Sequence, residues 1–307
     1  MLNAILLSLA GLVGLAFGGE LLVRGAVGIA QKLGVSTLVT GLVIVGFATS
    51  MPEMVASVQA ALAESPQIAW GNVVGSNLAN TLLILGVSAL VAPIALGGSG
   101  RRDAAVALGA TLLLWALAAS GMGARWIGFA LLAGILVYIA WRYFYPGETP
   151  VEDANGADQV NGLIAAGLFV VGLGILVAGG QALVSGAIAL ATIFKVPETV
   201  IGLTVVAVGT SLPELAASIA AALRGKSGLA LGNVVGSNIY NILLIGGATM
   251  SLAPLPLPAS LAGLQLALLT ATAVLVLALM WFANSIGRLT GAALVAIFAA
   301  NVVFVFA

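Results

Sequence analysis

The chain contains no cysteine and no histidine. That excludes disulfides, thiol chemistry and the usual protein ligands for zinc and haem. Charge is scarce as well. Only 7% of the 307 residues are Asp, Glu, Lys or Arg, and aromatics make up 6%. A soluble domain carries roughly 25% charged residues. With 62% hydrophobic residues and a mean hydropathy of +1.22, no water-soluble fold of this size could bury the apolar surface. The chain is read as a polytopic membrane protein. Ten bases balance ten acids, and no basic patch with interleaved aromatics points to nucleic acid. The N-terminal apolar run, ending near Gly19, has no cationic start before it and reads as a first membrane span rather than a cleaved signal.

Taking Gly, Pro and charge as punctuation gives ten spans, at 2–30, 35–63, 68–92, 103–122, 125–145, 162–192, 196–223, 228–252, 259–282 and 287–306. The one clearly polar stretch, PGETPVEDANGADQVN at 146–161, has four acids and no base and reads as a solvated linker. The expected fold is an all-α membrane protein of ten transmembrane helices. A first five-helix repeat (1–145) and a second (162–307) flank an acidic cytoplasmic linker (146–161). Five is odd, so the second repeat enters the membrane the other way up, a recurring transporter plan. With the N-terminus outside, the inner connections hold Lys32, Arg101, Arg102, Arg142, Arg224, Lys226 and Arg288, against Arg125 and Lys195 outside. That asymmetry follows the positive-inside rule and places both termini outside. A compact chain rich in Ala and Gly fits a prokaryotic inner membrane.

The repeat is explicit. Residues 41–53, GLVIVGFATSMPE, and 202–214, GLTVVAVGTSLPE, agree at seven of 13 positions. GNVVGSNLANTLLILG from Gly71 and GNVVGSNIYNILLIGG from Gly232 agree at 12 of 16. The spacing between the copies is constant, with no gap, and pairs Glu53 with Glu214, Ser76 with Ser237 and Asn80 with Asn241. In the same register Gly19, Leu22, Val23, Gly25 and Ala26 of the first span line up with Gly180, Leu183, Val184, Gly186 and Ala187 of the sixth. A carboxylate inside an apolar segment is costly and by default marks an ion or substrate path. Pro52 and Pro213 interrupt the second and seventh spans beside Thr49-Ser50 and Thr210-Ser211. Unwound backbone at membrane depth lines a polar cavity or is buried in protein. Ser76 and Asn80, and again Ser237 and Asn241, are four apart and share a helix face.

The oxygens available to converge are two Glu carboxylates, two Asn carbonyls and the hydroxyls of Thr49, Ser50, Ser76, Thr210, Ser211 and Ser237, with backbone carbonyls near Gly46 and Ala207. A large, flexible, all-oxygen cage suits Ca²⁺ or several Na⁺ better than Mg²⁺. Two ionised Glu balance one Ca²⁺ or two Na⁺, and a third Na⁺ adds net charge that the membrane voltage would sense. Other polar residues have plainer readings. Ser57, Ser88, Ser185 and Ser218 are expected to bond neighbouring helices. Glu20 and Arg24, four apart, are expected to pair with each other or to sit near the inner interface, and the second repeat has Gln181 and Ser185 there. Lys195, Glu198, Arg224 and Lys226 are expected to be solvated.

GTSLPE, its variant ATSMPE, and the two GNVVGSN(x)(x)N copies resemble the alpha repeats of the sodium/calcium exchanger family, within the cation/calcium antiporter superfamily, over essentially the whole chain. The resemblance implies a secondary antiporter exchanging Ca²⁺ for Na⁺ by alternating access, with no cofactor and no enzymatic activity. Spans 2, 3, 7 and 8 would form the binding core at the bilayer midplane, with four sites in a diamond and a stoichiometry near three Na⁺ per Ca²⁺. It implies Glu53 and Glu214 as central calcium ligands, with backbone carbonyls of Thr49 and Thr210. Ser50, Ser76, Ser211, Ser237 and the carbonyls of Gly46 and Ala207 would serve sodium, and Asn80 and Asn241 would complete the centre. Spans 1 and 6 would slide across this core. Ala48 departs from the usual Gly of the motif, and Asn241 stands where some members carry Asp, which implies no potassium requirement. The partners are the two ions and the lipid bilayer, with no protein partner, for a monomer. The alternatives are a Ca²⁺/H⁺ antiporter of the same superfamily and a cation channel. An intramembrane enzyme finds no Ser-His, Asp-Asp or metal-binding His arrangement.

Overall fold

A computed structural model describes residues 1–96, 100–145, 161–194, 209–254, 256–258, 261 and 263–306. The chain is almost wholly helical. Helix α1 (Leu2–Leu33) is 32 residues long, about 48 Å of helix against about 30 Å of hydrocarbon. Gly34 ends it at a φ of 66, which lets the Val35 amide bond back to the Ala30 carbonyl. The Ser36 hydroxyl then accepts from the Val39 amide and starts the next helix.

Helices α2 (Thr37–Thr49) and α3 (Met51–Leu62) form one span bent by 45° at Ser50. Pro52 lies in the first turn of α3, where its missing N–H is least costly. Helix α4 (Pro66–Val91) follows, then α5 (Arg101–Ser120), α6 (Arg125–Phe144) and α7 (Gly162–Ile193). Helix α8 (Leu212–Leu223) begins at Leu212-Pro213 as α3 begins at Met51-Pro52. Then come α9 (Ser227–Leu252), α10 (Leu264–Phe282) and α11 (Arg288–Phe306). Seven described helices are long and apolar enough to cross a membrane, and the bent α2–α3 pair makes an eighth. Of the ten expected spans, the seventh falls partly on residues 196–208, outside the described residues, and its described part is α8. The tenth corresponds to α11, whose apolar part, Arg288–Phe304, is shorter than the others. The linker at 146–160, Lys195 and Glu198 also lie outside the described residues.

Burial separates an inner group from an outer one. The apolar windows of α4 and α9 are 78% and 83% buried, whereas those of α1, α5, α6, α7 and α10 are 22–39% buried. Only the first two are surrounded by protein, and the bent α2–α3 span and α8 pack against them. Glycine makes the closest crossings. A Cβ at Gly232 of α9 would lie 2.4 Å from the Leu38 carbonyl oxygen of α2, and one at Gly172 of α7 would lie 2.4 Å from the Leu22 nitrogen of α1. Without an aqueous hydrophobic drive between helices, such backbone approach carries much of the packing.

One end of the bundle is tied across the two halves of the chain. Strand β1 (Ile94–Ala95) pairs antiparallel with β2 (Ser285–Ile286). The Ala95 amide donates to the Ser227 hydroxyl at 3.0 Å. Arg101 donates to the Met280 carbonyl and stacks over Trp281, and Arg288 donates to the Leu90 carbonyl. Arg142, expected in a connection, is instead in the last turn of α6 and only 2% exposed. It pairs with buried Asp103 at 3.0 Å, and the Tyr138 hydroxyl donates to the same carboxylate at 2.9 Å. A charge at the edge of hydrocarbon folds inward when a partner is within reach.

Candidate cation site

The acids lie in the middle of the bundle. Glu53 is 1% exposed and Glu214 is 2% exposed, each in the first turn of its helix, α3 or α8. The serine just before each of these helices crosses to the other half's acid. The Ser50 hydroxyl donates to Glu214 Oε1 at 3.3 Å, and the Ser211 hydroxyl donates to Glu53 Oε1 at 3.1 Å. Each carboxylate therefore has one oxygen fixed by the opposite half. The other oxygens, Glu53 Oε2 and Glu214 Oε2, are buried and have no hydrogen-bond partner.

More of the expected oxygens are buried in the bundle. Thr49, Ser76, Asn80, Ser237 and Asn241 are all buried, and Ser237 Oγ and Asn241 Oδ1 are likewise unpartnered. Gly46 lies against the Ser237 amide, at 3.2 Å from where its Cβ would be. Thr210, two residues before α8, is half-buried. Ala207 lies outside the described residues. Among the described residues no three of His, Cys, Asp and Glu come together, so the formal charge of the cage is that of two carboxylates. Four unpartnered buried oxygens, two of them acidic, are costly as they stand. They fit a desolvated cation, with no nitrogen or sulfur ligand to favour a softer metal.

Local backbone serves this arrangement. Helices α4 and α9 each widen into a π-helical stretch, at Ala79–Ile84 and Asn241–Ile245. The first includes Asn80 as its second residue and the second starts at Asn241, and such defects often sit at functional sites. A third lies at Gly41–Val45, one turn before Thr49.

Two asparagines outside the expected set bond the acid-bearing turns. Asn72 Nδ2 donates to the Glu53 carbonyl at 3.1 Å and to Ser57 Oγ at 2.8 Å. Its repeat mate Asn233 donates to the Glu214 carbonyl at 3.2 Å and to Ser218 Oγ at 2.9 Å. These amides clamp the acid-bearing turn of α3 to α4, and of α8 to α9. Asn233 Oδ1 also accepts from the Thr49 hydroxyl at 3.3 Å, which ties the first bend to the second clamp. Both asparagines are the second letter of the doubled GNVVGSN motif, so the repeat register marked them as plainly as it marked Ser76. Ser57 and Ser218 do bond neighbouring helices as expected, whereas Ser88 Oγ is buried without a partner.

Helices long and apolar enough to cross a bilayer, with two buried acids bonded reciprocally across the two halves of the chain, define a membrane protein with a candidate cation site. The family model for sodium/calcium exchanger proteins matches residues 3–144 and 164–307. The putative antiporter CaxA of Alkalimonas amylolytica is 35% identical over 271 residues, covering 86% of this chain and 85% of its own. The sodium/calcium exchanger MaX1 of Methanosarcina acetivorans is 34% identical over 294 residues, covering 81% and 83%. The solved structure of the sodium-calcium exchanger NCX_Mj superposes with a TM-score of 0.86 at 30% identity, over 98% of both chains. The chain belongs to the sodium/calcium exchanger family and is a cation/calcium antiporter of the membrane.

Proposed function

We propose that this protein exchanges Ca²⁺ for Na⁺ by alternating access, through one site between the second, third, seventh and eighth of ten spans. The two halves, 1–145 and 162–307, are read as inverted five-helix repeats joined by a cytoplasmic linker, in a monomer with both termini outside a prokaryotic inner membrane. The observation that carries the site is the reciprocal pair of serine–glutamate bonds, each leaving an unpartnered carboxylate oxygen. Glu53 and Glu214 bind Ca²⁺ together with carbonyls of Thr49 and Thr210. Ser50, Ser76, Ser211, Ser237 and the carbonyls of Gly46 and Ala207 serve Na⁺, and Asn80 and Asn241 close the centre. Asn72 and Asn233 are positioning residues that hold the acid-bearing turns.

Competition supplies the coupling. Both ions need the same two carboxylates, so one excludes the other. Occupancy neutralises the buried charge that would otherwise oppose burial of the site during the change of side. The long helices α1 and α7 move together as the sliding element, consistent with their extensive mutual packing.

The test is ⁴⁵Ca²⁺ uptake into proteoliposomes preloaded with Na⁺, beside vesicles preloaded with choline and given only a pH gradient. Sodium-driven uptake supports the reading. Uptake driven by the proton gradient alone would move the protein to the proton-coupled branch and remove the sodium ligands named above. Flux independent of any trans ion would indicate a channel.

A further inference from the structure

The Arg224 side chain is exposed, as expected, and is also laid against α1. It donates through Nε to Glu20 Oε2 at 2.6 Å and through a terminal nitrogen to Glu20 Oε1. Arg24, one turn along α1, donates to Glu20 Oε1 at 2.8 Å. The carboxylate of α1 is thus held by a two-point fork from the end of α8 and by a second arginine on its own helix. Beside it the two helices touch: a Cβ at Gly19 would lie 3.0 Å from the Ala216 carbonyl oxygen and 3.3 Å from the Ala220 Cβ.

The counterparts in the other repeat have none of this chemistry. Glu20, Arg24 and Arg224 become Gln181, Ser185 and Ala63, all three exposed. The half-buried residues Ala216 and Ala220 become Val55 and Gln59, both exposed. Among the described residues α7 does not pack along α3 as α1 packs along α8.

We propose that Glu20, Arg24 and Arg224 form a one-sided latch that holds α1 on α8 and weights the transporter toward the state closed at the Arg224 end. The inference rests on the alternating-access reading above. An interaction made in one end state only shifts the equilibrium by its own differential strength. A partly exposed ion pair supplies a modest bias, about two- to five-fold in population. Such a bias leaves exchange running while favouring binding from the far side.

The absence of cysteine makes the test direct, since any introduced thiol is unique. The Ala220→Cys variant places a thiol on the α8 face under α1, and Gln59→Cys places one on the matching face of α3. Each is labelled with a membrane-impermeant maleimide in nanodiscs, where both faces are accessible, with and without Glu20→Gln. The expected result is labelling about two- to five-fold faster at the Ala220→Cys site and no faster at the Gln59→Cys site. Equal acceleration at both sites would mean general loosening and would overturn the latch, as would no change at either. A second arm builds the missing cluster in the other half, with Gln181→Glu and Ala63→Arg, and is expected to slow labelling at the Gln59→Cys site by a similar factor. Unchanged labelling there also counts against the proposal. Sodium-driven uptake by the unmodified protein is measured separately, so failure of the latch is distinguishable from failure of the exchange reading.

Discussion

The contact of α1 with α8 and the corresponding region of α7 and α3 come from nearly the same sequence yet are packed differently. Pro213, Ala217 and Ala221 of α8 are buried, while Pro52, Ala56 and Ala60 of α3 are half-buried. The acids at the heads of these two helices do not share the difference, since Glu53 and Glu214 are equally buried and bonded in the same way. The symmetry is therefore kept at the two acids and broken at the periphery, which on the proposed alternating-access reading is where one side is covered and the other open in any single state. A pseudo-symmetric protein gains two end states of similar energy from its repeat, and small differences between the halves set which one dominates.

The largest expected effect tests the symmetric part. Glu53→Gln and Glu214→Gln each remove half the fixed charge of the cage, and each is expected to lower sodium-driven ⁴⁵Ca²⁺ uptake by at least about 100-fold, on the scale of the cost of an uncompensated buried charge. The two losses should match. Robust uptake by one variant alone would show that the centre is not shared.

The next effect concerns an asymmetry unrelated to the ion. Asp103 and Arg142 form a buried pair in the first half, whereas their repeat mates are Leu264 and Val303, exposed at 51% and 68%. Arg142→Ala is expected to destabilise by about 3–5 kcal/mol because it strands a buried carboxylate. The double change Asp103→Leu with Arg142→Val, which copies the second half, is expected to recover most of that loss in a thermal-stability assay in detergent. A double variant as unstable as the single would assign the pair a role beyond neutralising itself.

A smaller effect separates the two clamps. Asn72→Ala and Asn233→Ala each remove two hydrogen bonds to a buried turn, at about 1–3 kcal/mol. Asn233 also accepts from Thr49 and is fully buried, while Asn72 is half-buried. The Asn233 variant should therefore raise the half-saturating Ca²⁺ concentration more, with maximal uptake per folded molecule less affected. Equal shifts would make the Thr49 bond incidental.

Much of this was legible in the sequence because hydropathy, glycine and a constant spacing between repeats are all local or periodic signals. The two acids, the interruption at Pro52 and the serines beside the acids could be named because the repeat copied them together, but not that each serine bonds the other half's acid. The asparagine clamps were visible in the same motif but look like ordinary packing residues until their amides are seen on the Glu carbonyls. The Arg224 and Arg142 partnerships could not be read. A lone arginine near a helix end is usually solvated, and its partner, far along the chain in the case of Arg224 and Glu20, is fixed only by the way the helices cross.

The smallest effect addresses the latch through solvent. The Arg224 and Glu20 side chains are 33% and 34% exposed, so their attraction is open to screening, unlike the Asp103–Arg142 pair at 2% and 3%. The Debye length falls from about 10 Å at 0.1 M salt to about 3 Å at 1 M. Raising choline chloride over that range should accelerate labelling in the Ala220→Cys variant by up to about two-fold, a fraction of an exposed pair's strength. With Glu20→Gln present as well, the charge that salt screens is already gone, and the acceleration should vanish. A salt effect that persists in that background would come from charges other than Glu20, and the bias between the halves would then have to be sought elsewhere along α1.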